Sequence, residues 1–199
     1  MEIRKATIED AACISSIFWE SWQTGYRGLI DQAYLDGLRP DHWQAFFASQ
    51  LRPGSLEAQV AMLGPEAAGA VAYGAFIPPT GSQVPARGDG YVQALYVRPA
   101  FMRQGVGSGL LQAAEEGLRA MGYGTAFLYV LDTNEKARRF YEKQGYRWNY
   151  GTDIYACMGI YKKVHVCNSS YICSLYNTCI FLPTNKDSSG YFYNISVYN

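Results

Sequence analysis

The sequence predicts a mixed α/β fold over residues 1–164, with a central sheet of about six to seven strands and about four helices. Three observations predict it. From Val106 onward apolar residues recur at helical spacing, whereas the stretches just before are short runs of β-branched and aromatic residues. Gly- and Pro-containing segments separate these runs as turns do. The resulting order reads β-α-α-β-β-β-α-β-α-β, which needs a sheet with helices packed on it.

Each element has its own signal. EIRKATIED opens with a short strand and a turn rich in capping residues. AACISSIFWESWQTGYRGLI places Ile14, Ile17, Phe18 and Trp22 at helical spacing, so a helix is expected up to a break near Gly25–Gly28. DQAYLDGLRPDHWQAFFASQL is a second helical region, interrupted by Pro40. LEAQVAML and GAVAYGAFI are strand-like and joined by a Gly-Pro turn, PPTGSQVPARGDG is a loop, and YVQALYV is a strand closed by Pro99. Val106, Leu110, Leu111, Ala114, Leu118 and Met121 share one helical face, with Glu115, Glu116 and Arg119 off it and Gly122 or Gly124 as the stop. TAFLYVL is a buried strand. DTNEKARRFYEKQG is a short helix with Asp, Thr and Asn as caps and Gly145 as its stop, and IYACMGIYKKV is a last strand.

Composition excludes several function classes. Seventeen basic and 17 acidic residues leave a formal net charge of zero, whereas nucleic acid and anionic membrane partners call for a basic excess. Neither partner is expected. MEIRKATIED is too charged for a secretion signal, and no apolar run of about 18 residues suggests a membrane span. His42 and His165 lie far apart and no CxxC or HxxxH spacing occurs, so no metal site is expected. Cys13 and Cys157 read as core residues, and a cytoplasmic chain with reduced thiols is the expectation.

The last 35 residues, 165–199, are written differently. They contain no Ala, Arg, Glu or Gln and are dominated by Tyr, Asn, Ser and Cys. The abrupt change points to a separate origin, such as an out-of-frame or non-native extension. YICSLYNTCIFL and GYFYNISVYN could instead form added strands, since they are too aromatic for ordinary disorder.

RQGVGSGLL sets the functional question. Gly105, Gly107 and Gly109 stand where a helix must nucleate, and each is unfavourable there by roughly 1 kcal/mol relative to alanine. A helix N-terminus offers unpaired N–H groups and partial positive charge, and glycine lets phosphate oxygens approach the backbone. A P-loop would need Gly-Lys-Ser/Thr, and GVGSGL has no lysine; a dinucleotide fingerprint would need glycine at Leu110. A purely structural alternative is close helix–strand packing.

These residues resemble the GNAT superfamily of acetyl-CoA-dependent N-acyltransferases, over about residues 3–164. The family's phosphate loop, (Gln/Arg)-x-x-Gly-x-(Gly/Ala), is matched by MRQGVG at Gly105 and Gly107, with Met102 departing at the first position. A second match is NEKARRFYEKQGYRW, similar to Asn-x-x-Ala-x-x-Phe-Tyr-x-x-x-Gly-Phe. On a helix, Asn134 and Tyr141 would project from one face about 10 Å apart along the axis. The resemblance implies an acyl-CoA N-acyltransferase fold and acetyl-CoA as co-substrate, without a metal. It implies that Arg103, Gln104, Gly105, Val106, Gly107 and Ser108 hold the pyrophosphate and that Asn134 hydrogen-bonds the pantetheine arm. A backbone N–H near Leu95, Tyr96 and Val97 would polarise the thioester carbonyl, in a gap between the fourth and fifth strands that admits pantetheine as a pseudo-strand. Tyr141 would protonate the departing thiolate, since thiol and phenol pKa values of about 8.5 and about 10 are close enough for transfer.

The acceptor side is less determined. Many relatives carry a carboxylate near the start of the fourth strand, where this chain has Tyr91; Asp89, a water-mediated base and a low-pKa acceptor stay open as alternatives. Trp19, Trp22, Tyr26 and Arg27, between the first two helical regions, are expected to line the acceptor pocket with Tyr91. The leading reading is an N-acetyltransferase for a primary amine of a small molecule or peptide. The alternatives are a non-catalytic acyl-CoA-binding module and an interaction protein acting through its aromatic tail. Many family members pair as homodimers, and the sequence leaves the stoichiometry open.

Overall fold

The computed structural model describes residues 1–51, 56–75, 89–131 and 133–147, the backbone of 148–149, and the backbone of strands 161–167, 171–173 and 179–181. Strand β1 (Glu2–Lys5) leads into helices α1 (Ala11–Gly25), α2 (Gln32–Gly37) and α3 (Gln44–Gln50). Three strands follow: β2 (Glu57–Leu63), β3 (Glu66–Ala75) and β4 (Gly90–Val97). The second half alternates α4 (Val106–Ala120), β5 (Thr125–Leu131), α5 (Glu135–Lys143), β6 (Arg147–Asn149) and β7 (Tyr161–Cys167). Strands β8 (Tyr171–Cys173) and β9 (Cys179–Phe181) form a separate antiparallel pair.

The main sheet has seven strands in the order β1-β2-β3-β4-β5-β7-β6. Its first four strands are antiparallel, and from β4 onward the pairing is parallel. Two apolar layers cover it. On one face Phe18, Trp22, Leu35 and Phe47 of the first three helices, with Trp43 at the cap of α3, pack on Val60, Ala70, Ala72 and Ala94. On the other, Val106, Leu110, Leu111, Ala114 and Leu118 of α4 meet Val71, Val92, Ala126 and Leu128. A strand sends alternate side chains to opposite faces, so each central strand serves both layers.

The junction of β4 and β5 positions the site. Only Gly90↔Ala126 and Tyr91↔Phe127 are in register there, although the strands run to Val97 and Leu131. Beyond Tyr91 the two strands therefore diverge. A bulge contributes: Ala72 faces Ala94 and Tyr73 faces Val92, leaving Gln93 as the extra residue of β4. Such an insertion bends the strand and increases its twist.

Among the described residues of 2–147 the predicted elements form, with four amendments; residues 76–77 of the expected third strand, 78–88 of the expected loop and Asp132 lie outside the described residues. Pro40 lies between two short helices, α2 and α3, so the region it interrupts is not one helix. Met121 is 45% exposed, because α4 stops at Ala120 and Gly122 takes φ 90°. There Gly122 N–H bonds the Arg119 carbonyl and Tyr123 N–H bonds that of Leu118, which turns Met121 off the helical face. Glu115, expected off that face, is buried, with its carboxyl against the Tyr146 hydroxyl. Strand β6 carried no sequence signal, being three residues long. Residues 154–160 of the expected last strand lie outside the described residues, while β7 continues past Val164 to Cys167.

Candidate functional site

The chain leaves β4 through a short 3-10 turn, Pro99–Phe101, and enters α4 with two left-handed residues, Arg103 at φ 61° and Gly105 at φ 83°. Gly105 is the N-cap, and Gly109 N–H returns to its carbonyl at 2.9 Å. The N–H groups of Val106, Gly107 and Ser108 therefore precede the helix's own ladder and point outward from its positive end. The three glycines have different jobs. Gly105 supplies the left-handed turn. A Cβ on Gly109 would stand 2.6 Å from Met1 Cε and 3.1 Å from Ile3 Cδ1, so that glycine serves packing against β1. A Cβ on Gly107 would only touch Phe140 of α5 at 3.4 Å and Val97 of β4 at 3.7 Å. Gln104 and Ser108 use their side chains within the protein: Gln104 Nε2 donates to Ala100 O, and Gln144 Nε2 donates to Ser108 Oγ at 3.1 Å, which ties α4 to the end of α5.

Beside this loop lies the divergence of β4 and β5. Arg98 N–H bonds the Ala68 carbonyl of β3, and direction alternates along an antiparallel strand. Tyr96 thus shares its backbone bonds with β3, whereas the N–H and C=O groups of Leu95 and Val97 face the open β5 side. The Val97 carbonyl on that side accepts from Ser21 Oγ at 3.0 Å. A second tie from α1 is the Arg98–Glu20 ion pair; Arg98 also donates to Ala67 O at 2.9 Å.

Tyr141 approaches the divergence from the α5 side. Gly145 at φ 84° ends that helix, with Gly145 N–H on Glu142 O and Tyr146 N–H on Tyr141 O. The Tyr141 and Tyr146 rings meet edge-on at 5.7 Å, completing the C-terminal motif and fixing the Tyr141 ring. Tyr141 is buried, and that burial pushes its hydroxyl well above the usual phenol range. From the opposite face come Tyr96 and Tyr26, whose hydroxyls lie 3.4 Å apart. Tyr96 stands between Leu95 and Val97 on the part of β4 that β5 does not pair, and burial pushes its hydroxyl far above the usual phenol range too.

The other expected site residues are distributed as follows. Asn134 is the N-cap of α5, its Oδ1 accepting from Ala137 N–H at 3.1 Å, so its amide NH2 is the end left for a ligand. Trp22 is 3% exposed and lies beneath Tyr26, ring centroids 4.7 Å apart, as part of the core. Trp19 donates its indole N–H to Leu38 O at 3.0 Å. Arg27 is exposed on the turn after α1. Tyr91 stacks on Phe127 at 5.0 Å, at the paired end of β4. That places it about 16 Å along the strand from Tyr96, with Asp89 further still. Sequence reasoning missed Ser21, Glu20 and Arg98. Their partners are 76 and 78 residues away, so no local pattern marks them. Among the described residues no group of three or more His, Cys, Asp or Glu could hold a metal ion, and no helix is long and apolar enough to cross a membrane.

The site thus joins a strand pair open at one end to a glycine-bordered helix N-terminus that follows its first strand. A family model described as acetyltransferase (GNAT) family matches residues 14–146, and the chain belongs to that family of acyltransferase enzymes. It is 32% identical over 149 residues to an uncharacterized N-acetyltransferase of Archaeoglobus fulgidus, covering 74% of this chain and 93% of that one. It is 25% identical over 148 residues to a spermidine N(1)-acetyltransferase of Thermoplasma acidophilum, covering 74% and 88%. Among solved structures, PaiA N-acetyltransferase from Thermoplasma acidophilum in complex with coenzyme A superposes with a TM-score of 0.64 at 23% identity, covering 76% of this chain and 92% of that one.

Proposed function

We propose that this protein transfers the acetyl group of acetyl-CoA to a primary amine of a small molecule or peptide, by direct attack through a tetrahedral intermediate, in the cytoplasm. The observation that carries the reading is the one-ended pairing of β4 and β5, which leaves the Leu95 backbone and the Val97 N–H without a β5 partner beside the α4 N-terminus, the Val97 carbonyl being taken by Ser21. Pantetheine amides fit such an edge as an added strand would. The outward N–H groups of Val106, Gly107 and Ser108 suit the pyrophosphate, with the Arg103 guanidinium and the backbone of Gln104 and Gly105 beside them. The Asn134 amide NH2, whose oxygen is occupied by the Ala137 N–H, would donate to the pantetheine arm. The solved relative holding coenzyme A has the same fold, which supports this ligand class.

In the reaction the amine lone pair forms the N–C bond, the carbonyl oxygen takes the negative charge, and collapse expels the CoA thiolate. An N–H of Leu95 or Val97 serves the oxyanion. Tyr141 gives its proton to the sulfur, and the second proton that the nitrogen sheds as the intermediate collapses to the amide returns Tyr141 to the neutral phenol. Its raised proton affinity keeps it neutral throughout the physiological range and also makes it a weaker acid. The same burial destabilises a thiolate expelled beside it, which preserves much of the match between the two acids.

The test follows CoA thiol release with a panel of primary amines. Turnover by the wild type, falling about 100-fold in Tyr141→Phe while acetyl-CoA binding holds, is the expected result. Binding without turnover on any amine would instead favour a non-catalytic acyl-CoA-binding module.

A further inference from the structure

We propose that the Tyr96–Tyr26 hydroxyl pair takes the surplus proton from the acceptor ammonium and hands it to solvent. The proposal rests on the transferase reading above and supplies the proton acceptor that the reading lacks.

An alkyl ammonium must lose a proton before it attacks, and among the described residues the carboxylate nearest the open end of β4 is that of Glu20, already engaged by Arg98. Asp89 sits before the start of the strand. What lies there is a pair of phenols. Tyr96 and Tyr141 belong to opposite apolar layers, and Tyr96 stands on the part of β4 that β5 leaves unpaired. A thioester entering from the α4–α5 side with Tyr141 at its sulfur is therefore met from the α1 side by Tyr96. The Tyr96 ring is fixed edge-on against Phe18 at 4.5 Å. Tyr26 is fixed twice, by its ring on Trp22 at 4.7 Å and by its carbonyl, which accepts from Leu29 and Ile30 N–H. It is half-buried, between exposed Gly25 and Arg27, and so spans from the gap to water. The groups that bear most on the Tyr96 hydroxyl are Tyr26, Trp22 and Tyr141, all uncharged.

The step balances. One ammonium N–H bond breaks, its electron pair becoming the nitrogen lone pair, and the proton bonds to Tyr96 Oη. The proton already on Tyr96 moves to Tyr26 Oη, and that of Tyr26 moves to a surface water and then to buffer. Both tyrosines end as neutral phenols, and one proton is released per ammonium consumed. The 3.4 Å hydroxyl separation is long for O–H···O, and such contacts tighten when the substrate arrives.

Two acceptors of different basicity test the proposal: a simple alkylamine of pKa about 10.4 and a peptide α-amine of pKa about 7.7, at about pH 8.5, where the second is already mostly neutral. Tyr96→Phe and Tyr26→Phe keep the rings, and an unchanged acetyl-CoA titration checks the fold. Each variant is expected to lower kcat/KM for the alkylamine at least tenfold while leaving the α-amine within about twofold, and raising the pH toward about 10 should restore the alkylamine rate. Equal losses on both amines, or no loss on either, would overturn the proposal. A wild type that binds acetyl-CoA and acetylates neither amine would overturn the transferase reading, which is a separate result.

Discussion

Individual residues are where acid–base behaviour is decided. Tyr96, Tyr141 and Tyr146 all have hydroxyls raised by burial, so the folded chain retains protons that the unfolded chain gives up near about pH 10. Their contribution to stability is complete below that pH and is lost as pH rises through it. A denaturant midpoint followed from about pH 8 to about pH 11 should fall steeply above about 10, and less steeply in Tyr146→Phe. Asp10 behaves oppositely. Its carboxylate accepts from Arg4 at 2.7 and 2.8 Å and from Thr7 N–H at 2.8 Å, and the Arg4 guanidinium foremost holds it below the usual carboxylate range. Its stabilisation is present above about pH 4 and lost as acid protonates it. Asp10→Ala should cost about 1–3 kcal/mol at neutral pH, read from urea unfolding, and progressively less as the pH falls below about 4.

Helices and strands translate single residues into a site. The left-handed Gly105 at the start of α4 is the clearest case, because nothing else lets the chain turn from Gln104 into the helix with its N–H groups outward. Gly105→Ala should cost about 1–2 kcal/mol although its Cβ meets nothing within 4 Å, since the strain lies in φ alone. Thermal unfolding checks this, and an unchanged midpoint would contradict it. Helices α1, α4 and α5 and strands β2 to β5 were legible in the sequence, because each repeats its period long enough to be read. The glycine loop and the Asn134–Tyr141 pair were legible too, as fixed spacings. Of the Asp, Thr and Asn read as caps, Asn134 is the N-cap of α5, whereas Ser21, Glu20 and Arg98 were not foreseen at all. Those last contacts join α1 to the end of β4, and a partner 76 residues distant leaves no local trace. The divergence of β4 from β5 was expected only through family resemblance, since strand pairing is a property of two segments and neither alone encodes where it stops.

For the whole molecule, the sheet explains why chemistry and substrate access coincide. Two apolar layers cover the two faces, Tyr96 and Tyr26 in one and Tyr141 in the other, and Tyr96 stands where the pairing of β4 with β5 has stopped. We propose that the catalytic domain comprises residues 1–164 and that the compositionally distinct tail is dispensable. A truncation should respect β7, which pairs with both β5 and β6 and continues to Cys167. Ending the chain after Cys167 should leave acetyl-CoA affinity within about twofold, whereas ending it at Val164 removes three residues of a strand paired on both sides and should lower the melting temperature. Loss of affinity in the longer truncate would make the tail part of the site.

The most direct measurement is a calorimetric titration of acetyl-CoA into the wild type and into Gly107→Trp, whose indole would fill the space between the α4 N-terminus, Val97 and Phe140. Micromolar binding by the wild type, abolished in the variant with its melting temperature maintained, is the predicted result. Absence of binding by the wild type, or equal binding by both, would contradict the assignment of this loop to the cofactor phosphates and with it the central claim.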